Sequence, residues 1–161
     1  MPVDMFIKLD GINGESKDAR HPDEVEVLAW NWGMNSPTPT PDRRGGAGAG
    51  KVSIQDLAIS KFVDAATPGL LLSCASGKRI KTALLSVRTS RDRPFDIVRM
   101  KLEDIGVSSV VVTGVTVENR PTESVSLSFA RVQLEYTGQK PDGTAGASIA
   151  FGWDVKTNAK W

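Results

Sequence analysis

A glycine-rich stretch that begins at Gly45, GGAGAGKVS, has the residue types and spacing of a phosphate-binding loop. Gly45, Gly50 and Lys51 fit the pattern G-x-x-x-x-G-K, in which backbone N–H groups and the lysine hold phosphate oxygens. That chemistry requires a strand before the loop, a helix after it, and a Ser or Thr after the lysine. Here the proline-rich segment SPTPTPDRR precedes the glycines, and Val52 follows Lys51. The stretch therefore does not predict nucleotide binding, and we interpret it as part of a long interaction loop at about 35–51.

The other side chains that could perform chemistry stand alone in the sequence. The chain has 1 His and 1 Cys. We expect His21, in the charged segment KDARHPDE, to be a solvated loop residue, and Cys74 to pack on the apolar side of a helix. Asp23 and Glu24 are adjacent, so on a strand their carboxylates would point to opposite faces. No catalytic, cofactor-binding or metal-ligating residue is predicted, and an enzyme is the weakest of the functions considered.

Length and charge narrow the class of protein further. The 161 residues suit one domain, spanning 1–161, and Lys plus Arg number 20 against 19 for Asp plus Glu. This near-neutral balance argues against a nucleic-acid binder. The N-terminal stretch MPVDMFIKLDG lacks a basic region before an apolar run, and no apolar stretch is long enough to span a bilayer. We therefore expect a protein made in the cytoplasm, with no signal peptide and no membrane insertion.

Alternation of apolar and polar residues predicts a mainly β fold. In the first segment Val3, Met5, Ile7 and Leu9 share one parity, which is typical of a strand with one apolar face. Eight strands are predicted in all, at about 3–9, 25–34, 51–62, 79–90, 95–105, 107–118, 124–137 and 147–155. They predict a single-domain β-barrel of about eight strands.

One helix is predicted on the flank of the barrel, in the segment TPGLLLSCASGK. Thr67 is a good N-cap residue, and Pro68 suits the first helical position. Gly77 fits the end of the helix. Its apolar face is predicted to hold Leu70, Leu71, Cys74 and Ala75. A helix this short requires docking against the sheet to be stable.

The phase of the alternation changes inside some strands. In the segment 124–137, the apolar residues up to Phe129 are odd-numbered, whereas those from Val132 onward are even-numbered. The same change occurs from Val27 to Leu28 and from Ile54 to Leu57. A shift by one residue exchanges the two faces of a strand. Two explanations are open: the strands bend or bulge between layers, or both of their faces are covered, one by the core and one by a neighbouring subunit.

Five segments together resemble the haemolysin co-regulated protein (Hcp) family, the tube-forming proteins of the bacterial type VI secretion system. They are MPVDMFIKLDGINGESKD, GAGAGKVSIQDLAISKFVD, CASGKRIKTALLSVR, RPTESVSLSFARVQLEYT and QKPDGTAG. The likeness runs from Met1 to about Asp154. It implies a β-barrel with a flanking helix, of which six copies form a ring, and rings that stack into a hollow tube. It also implies sheath, spike and baseplate proteins as partners, and effectors carried in the lumen. The protein itself would be secreted out of the cell, and no cofactor is implied.

The resemblance directs attention to surfaces on which copies of the chain would meet. Candidate contact residues lie in the long loop, on exposed strand faces near Arg88 to Arg93, and in the turn ENRPTES at 118–124. They are Asn35, Ser36, Pro39, Arg43, Arg44, Gly46, Gly48, Arg91, Arg93, Arg120, Thr122 and Glu123. The alternative function is a monomeric β-barrel that carries a small ligand in its interior. The molecular mass in solution distinguishes the two.

Overall fold

The structure is a computed structural model that describes residues 3–37, 51–90 and 92–161. In chain order the described elements are β1 (Val3–Leu9), β2 (Val25–Glu26), β3 (Ala29–Asn31), β4 (Met34–Asn35), β5 (Ser53–Ile54), β6 (Leu57–Phe62), α1 (Thr67–Ser76), β7 (Ile80–Thr89), β8 (Asp96–Val117), β9 (Arg120–Gln139), β10 (Ala145–Asp154) and β11 (Ala159–Lys160). The mainly β class and the single flanking helix are therefore confirmed for the described part of the chain.

The long antiparallel hairpin of β8 and β9 organises the sheet. On one side β8 pairs with β7, which continues through β1 to β2. On the other side β9 has two neighbours in succession: its first part pairs with β6, and its second part pairs with β10. The predicted strands at about 95–105 and 107–118 are thus one continuous strand, β8. Pairing with β9 from Val98 to Val117 stabilises this long strand.

Both long strands exchange their faces at the same level. In β8, Leu102 and Ile105 are both buried although their parity differs, and the opposite strand does the same at Phe129 and Val132. Asp104 lies between the two β8 residues with φ of 53°, a left-handed conformation that turns the strand. Beyond this point β9 changes its neighbour from β6 to β10. The predicted change of phase is therefore a bend between two halves of the sheet.

Residues 25–31 connect the two halves on the opposite side of the core. Their first part, β2, pairs with β1, and their second part, β3, pairs with β6. The main-chain N–H of Val27 donates to Met5, and that of Leu28 donates to Ser60, so consecutive residues bond to different halves. The barrel is therefore not a regular, closed ring of eight long strands: the predicted strand at 25–34 is divided into short pieces, and so is the one at 51–62.

Apolar side chains from both halves fill the space between them. Five of those with no exposed surface are Ile7, Leu57, Leu85, Met100 and Leu127. Three of the tryptophans, Trp30, Trp32 and Trp153, are partly buried and pack against the same cluster. The interior thus holds side chains of the core, and this packing gives no support to a carrier of interior ligands.

Helix α1 docks through a narrower face than the sequence indicated. Leu70 is fully buried and Ser73 is buried, but Leu71 and Ala75 are exposed. The prediction that Leu71 and Ala75 lie on the docked face of the helix is therefore wrong. Ala66 is the N-cap and Thr67 is the first helical residue, so the predicted N-cap is wrong by one position. The Thr67 hydroxyl accepts a hydrogen bond from the main-chain N–H of Asp64 in the preceding turn. Gly77 ends the helix with φ of 72°, as predicted.

Candidate subunit interface

The predicted contact residues are divided between described and undescribed parts of the chain. Asn35 lies in β4, which pairs with β5 at the base of the long loop, and Ser36 follows it; both are exposed. Arg93 is exposed in the turn before β8. Six further candidates, Pro39, Arg43, Arg44, Gly46, Gly48 and Arg91, lie outside the described residues.

The structure brings the remaining three candidates together on β9. Arg120 is exposed at the end of the β8–β9 hairpin, with its guanidinium 3.9 Å from the ring centre of Phe62. The Thr122 hydroxyl donates to the main-chain oxygen of Val115, 2.9 Å away, and so ties the two strands of the hairpin together. These two residues border the hairpin surface.

Glu123 has a different place from the one predicted. Its side chain has no exposed surface and forms an ion pair with Lys61, which is also fully buried. The Lys61 ammonium group donates in addition to Asp64 (3.0 Å) and to the main-chain oxygen of Phe62 (2.9 Å). The hydroxyl of Thr67 donates to the same Glu123 carboxylate at 2.9 Å. Glu123 therefore joins β9 to β6 and to the start of α1 inside the protomer, and it offers no surface to a neighbouring subunit.

A second ion pair holds the N-terminal segment against β7. The guanidinium of Arg88 donates to both oxygens of Asp18, at 2.9 and 2.6 Å, and lies near Asp4. This bidentate bond holds the pKa of Asp18 well below its ordinary value, and it raises the pKa of Arg88. Arg88 is buried, so the expectation of an exposed strand face is wrong at this residue.

His21 is not the solvated loop residue that the sequence indicated. Its ring is buried, stacks on Phe6 with 4.5 Å between ring centres, and hydrogen bonds through Nδ1 to Glu24 at 2.8 Å. Cys74 is half-buried against the core. Among the residues that the structure describes, no group of three or more His, Cys, Asp or Glu side chains is placed to hold a metal ion.

A polar groove of about 620 Å³ crosses the outer face of the sheet. Charged and amide side chains of β1, β8 and β9 contribute to its lining, among them Lys8, Arg99, Lys101, Gln133 and Glu135. It lies on the face opposite to the packed core, because Met100 and Leu102 alternate with its two β8 residues and are buried. The groove is therefore a surface feature and not an interior ligand cavity.

Two groups of exposed apolar side chains were not identified from the sequence. One lies on the β8 part of the hairpin and comprises Val111, Val112, Val115 and Val117; the other lies on β9 and β10 and comprises Tyr136, Ile149 and Phe151. The signal was present, since two-faced strands predicted a surface covered by a neighbouring subunit. Which residues remain uncovered depends on where the core ends, and alternation alone does not show that.

Solved structures of type VI secretion proteins share this fold. A solved structure described as a type six secretion system protein is 31% identical, with a TM-score of 0.92 and coverage of 99% of this chain and 100% of that one. Hcp1 from Salmonella typhimurium is 35% identical, with a TM-score of 0.83 and full coverage of both chains. Protein hcp1 of Pseudomonas aeruginosa is 43% identical over 162 residues, covering 99% of each chain.

A family model described as "Type VI secretion system effector, Hcp" matches residues 6–136. The chain belongs to the Hcp family of the type VI secretion system. The resemblance recognised in the sequence is thereby confirmed. In the described part of the chain, no helix has the length and apolar character needed to cross a membrane.

Proposed function

We propose that this protein is a structural subunit of the type VI inner tube, that six copies form a ring, and that rings stack into a hollow tube that carries effectors into target cells. The observation that carries the proposal is the 43% identity to protein hcp1 over 99% of both chains. Similarity across the whole length supports a shared mode of assembly, because an assembly surface is spread over many elements.

The physical character of the surface agrees with this proposal. Large apolar side chains are exposed on β8, β9 and β10, where a monomeric protein would expose them to water at a cost. The net charge is +1, so stacked copies would meet little long-range repulsion. The proposal assigns no catalytic step to the protein. It also has the protein made in the cytoplasm and exported by the secretion machine itself, with sheath, spike and baseplate proteins as partners.

The direct test is the mass and shape of the purified protein. Native mass spectrometry is expected to show a hexamer, and electron microscopy is expected to show annular particles of uniform diameter with a central hole. A protein that remains monomeric at micromolar concentration in both measurements contradicts ring formation. Secretion is tested separately: in a bacterium with an active type VI system, the protein is expected in the culture supernatant and is expected to be lost from it when the sheath is deleted.

A further inference from the structure

The apolar face of the sheet continues beyond the region that the protein covers by itself. Successive cross-strand partners on this face form a row across five strands: Met5, Val87, Val98, Tyr136 and Ile149. Val87 is buried, but Tyr136 is 50% exposed and Ile149 is 74% exposed. The face of the sheet that covers the core is therefore exposed to solvent at β10.

The next row of the sheet repeats this trend. It crosses the same five strands through Ile7, Leu85, Met100, Leu134 and Phe151. The first three are fully buried, whereas Phe151 is 41% exposed. We call the exposed group of Tyr136, Ile149 and Phe151 the β10 patch. It is an extension of the core surface without its cover.

A second uncovered group lies on the β8–β9 hairpin. Val111, Val112, Val115 and Val117 are each at least 41% exposed, and Val115 reaches 67%. They lie in the segment VSSVVVTGVTV, which consists of valine and small residues and contains no charged residue. We call these four residues the valine patch. Because valines of both parities are exposed, this part of the hairpin presents apolar groups on both faces.

The two patches lie at opposite ends of one ladder. The β8–β9 pairing runs from Val98 opposite Tyr136, at the β10 patch, to Val117 opposite Arg120, at the valine patch. A ladder of about 20 residues at about 3.3 Å per residue keeps its ends tens of ångströms apart, so neither patch can cover the other within one chain.

Each patch also borders a strand edge that has no strand beside it in the described residues. On its outer side, β10 is paired near its C-terminal end alone: Trp153 and Asp154 pair with β11, and the main-chain N–H of Trp161 donates to Gly152. Beyond Ile105, β8 has no pairing on the side of β7. Natural proteins usually protect such edges with charged residues, yet neither AGASIAF in β10 nor VSSVVVTGVTV in β8 contains one. Two edge segments without charged residues of their own on one chain favour contact between copies.

We propose that the β10 patch of one copy docks against the valine patch of the next copy. This inference rests on the proposed ring and specifies its contact. The two patches differ, so the contact is heterologous, and repeating it generates a closed ring when the rotation between copies is suitable. Each copy has one β10 patch and one valine patch. A second copy of the chain therefore supplies the complementary patch for each of them, and an unrelated partner would not.

The test uses one charged substitution in each patch. Ile149→Glu and Val115→Glu place a carboxylate at the most exposed member of each patch, where the fold of the protomer does not depend on the side chain. Each variant alone is expected to lose the ring and to remain monomeric. Mixed together, they are expected to form dimers with one copy of each variant, because one intact β10 patch and one intact valine patch then remain to meet.

The matched control is Leu72→Glu, since Leu72 is 64% exposed but lies on α1, outside both patches. It is expected to form rings like the wild type. Circular dichroism of all variants checks that the protomer is folded. Rings formed by either Ile149→Glu or Val115→Glu overturn the inference and leave the proposed function standing, as does a mixture that stays monomeric. A wild-type protein that is itself monomeric contradicts the proposed function instead.

Discussion

At Lys61 and Arg88, a cation is taken out of water and held by carboxylates from distant parts of the chain. Lys61 in β6 meets Glu123 in β9, and Arg88 in β7 meets Asp18 in the segment after β1. Removing a charge from water is costly unless a partner and further hydrogen bonds compensate for it. Both sites provide a partner and further hydrogen bonds, so each cation holds two distant elements of the fold together.

The Asp18–Arg88 pair makes stability depend on pH in the acid range. The pKa of Asp18 is lowered in the folded protein, chiefly by the hydrogen bond from Arg88, relative to about 3.9 in the unfolded chain. The pair therefore stabilises the fold fully above about pH 5, and its contribution is lost progressively as the pH falls from the unfolded pKa toward the lower folded pKa. We expect Asp18→Asn to lower the free energy of unfolding by about 1–3 kcal/mol at neutral pH, measured by urea denaturation. The difference from the wild type is expected to shrink toward pH 3, and Asp92→Asn, in an exposed turn, serves as the control with little effect at any pH.

Substitutions at Lys61 and Glu123 are expected to have strongly non-additive effects on the free energy of unfolding. Lys61→Met leaves the Glu123 carboxylate buried without its cation, and we expect a loss of about 3–5 kcal/mol in the free energy of unfolding. The double variant Lys61→Met/Glu123→Leu removes both charges and is expected to recover most of that loss. Lys101→Met, at a half-exposed pair with Glu103, is the matched control and should cost less than about 1 kcal/mol. A single variant as stable as this control contradicts the anchoring role.

At the scale of elements, the face switch of β8 and β9 places one sheet half on each side of the core. Asp104 makes the turn with φ of 53° and is held by Arg79 at 2.6 Å and by Lys156 at 3.1 Å. These partners hold the pKa of its exposed carboxyl below the ordinary value. The switch therefore depends on a backbone conformation first, and on surface ion pairs second.

Two substitutions separate these contributions. Asp104→Gly and Asp104→Val both remove the ion pairs, but only glycine adopts the left-handed conformation without strain. We expect the valine variant to be less stable than the glycine variant by about 1–2 kcal/mol in thermal or urea unfolding. Equal stability of the two variants would show that the strand can switch faces without the left-handed residue.

At the scale of the whole molecule, stability and assembly are expected to be linked. Apolar groups at both ends of the β8–β9 ladder are exposed in the single chain. In the proposed ring contact, these groups are covered when copies associate. Association that favours the folded state raises the apparent stability by mass action. We expect the melting temperature to rise with total protein concentration for the wild type. Ile149→Glu is expected to show a melting temperature that does not depend on concentration, measured by scanning calorimetry.

Part of this protein follows from its local sequence. Alternation indicated the β class and most strand positions, and the changes of phase at Val27–Leu28 and Phe129–Val132 marked the places where the chain passes between sheet halves. The helix end at Gly77 followed from the left-handed conformation that glycine adopts readily. The five segments shared with the Hcp family were enough to indicate that family, because they follow one another in a fixed order along nearly the whole chain.

Other features were decided by the tertiary structure alone. The burial of Glu123 and of His21 could not be predicted, because Lys61 in β6 and Phe6 in β1 come near them only once the sheet has folded. The exposure of Leu71 was unpredictable for the same reason, since the position of the sheet selects which side of α1 is covered. The alternation of apolar and polar side chains along a strand is a local property, so it can be read directly from the sequence. The pairing of strands far apart in the chain, and hence the boundary between core and open surface, exists only once the whole sheet has folded around its core.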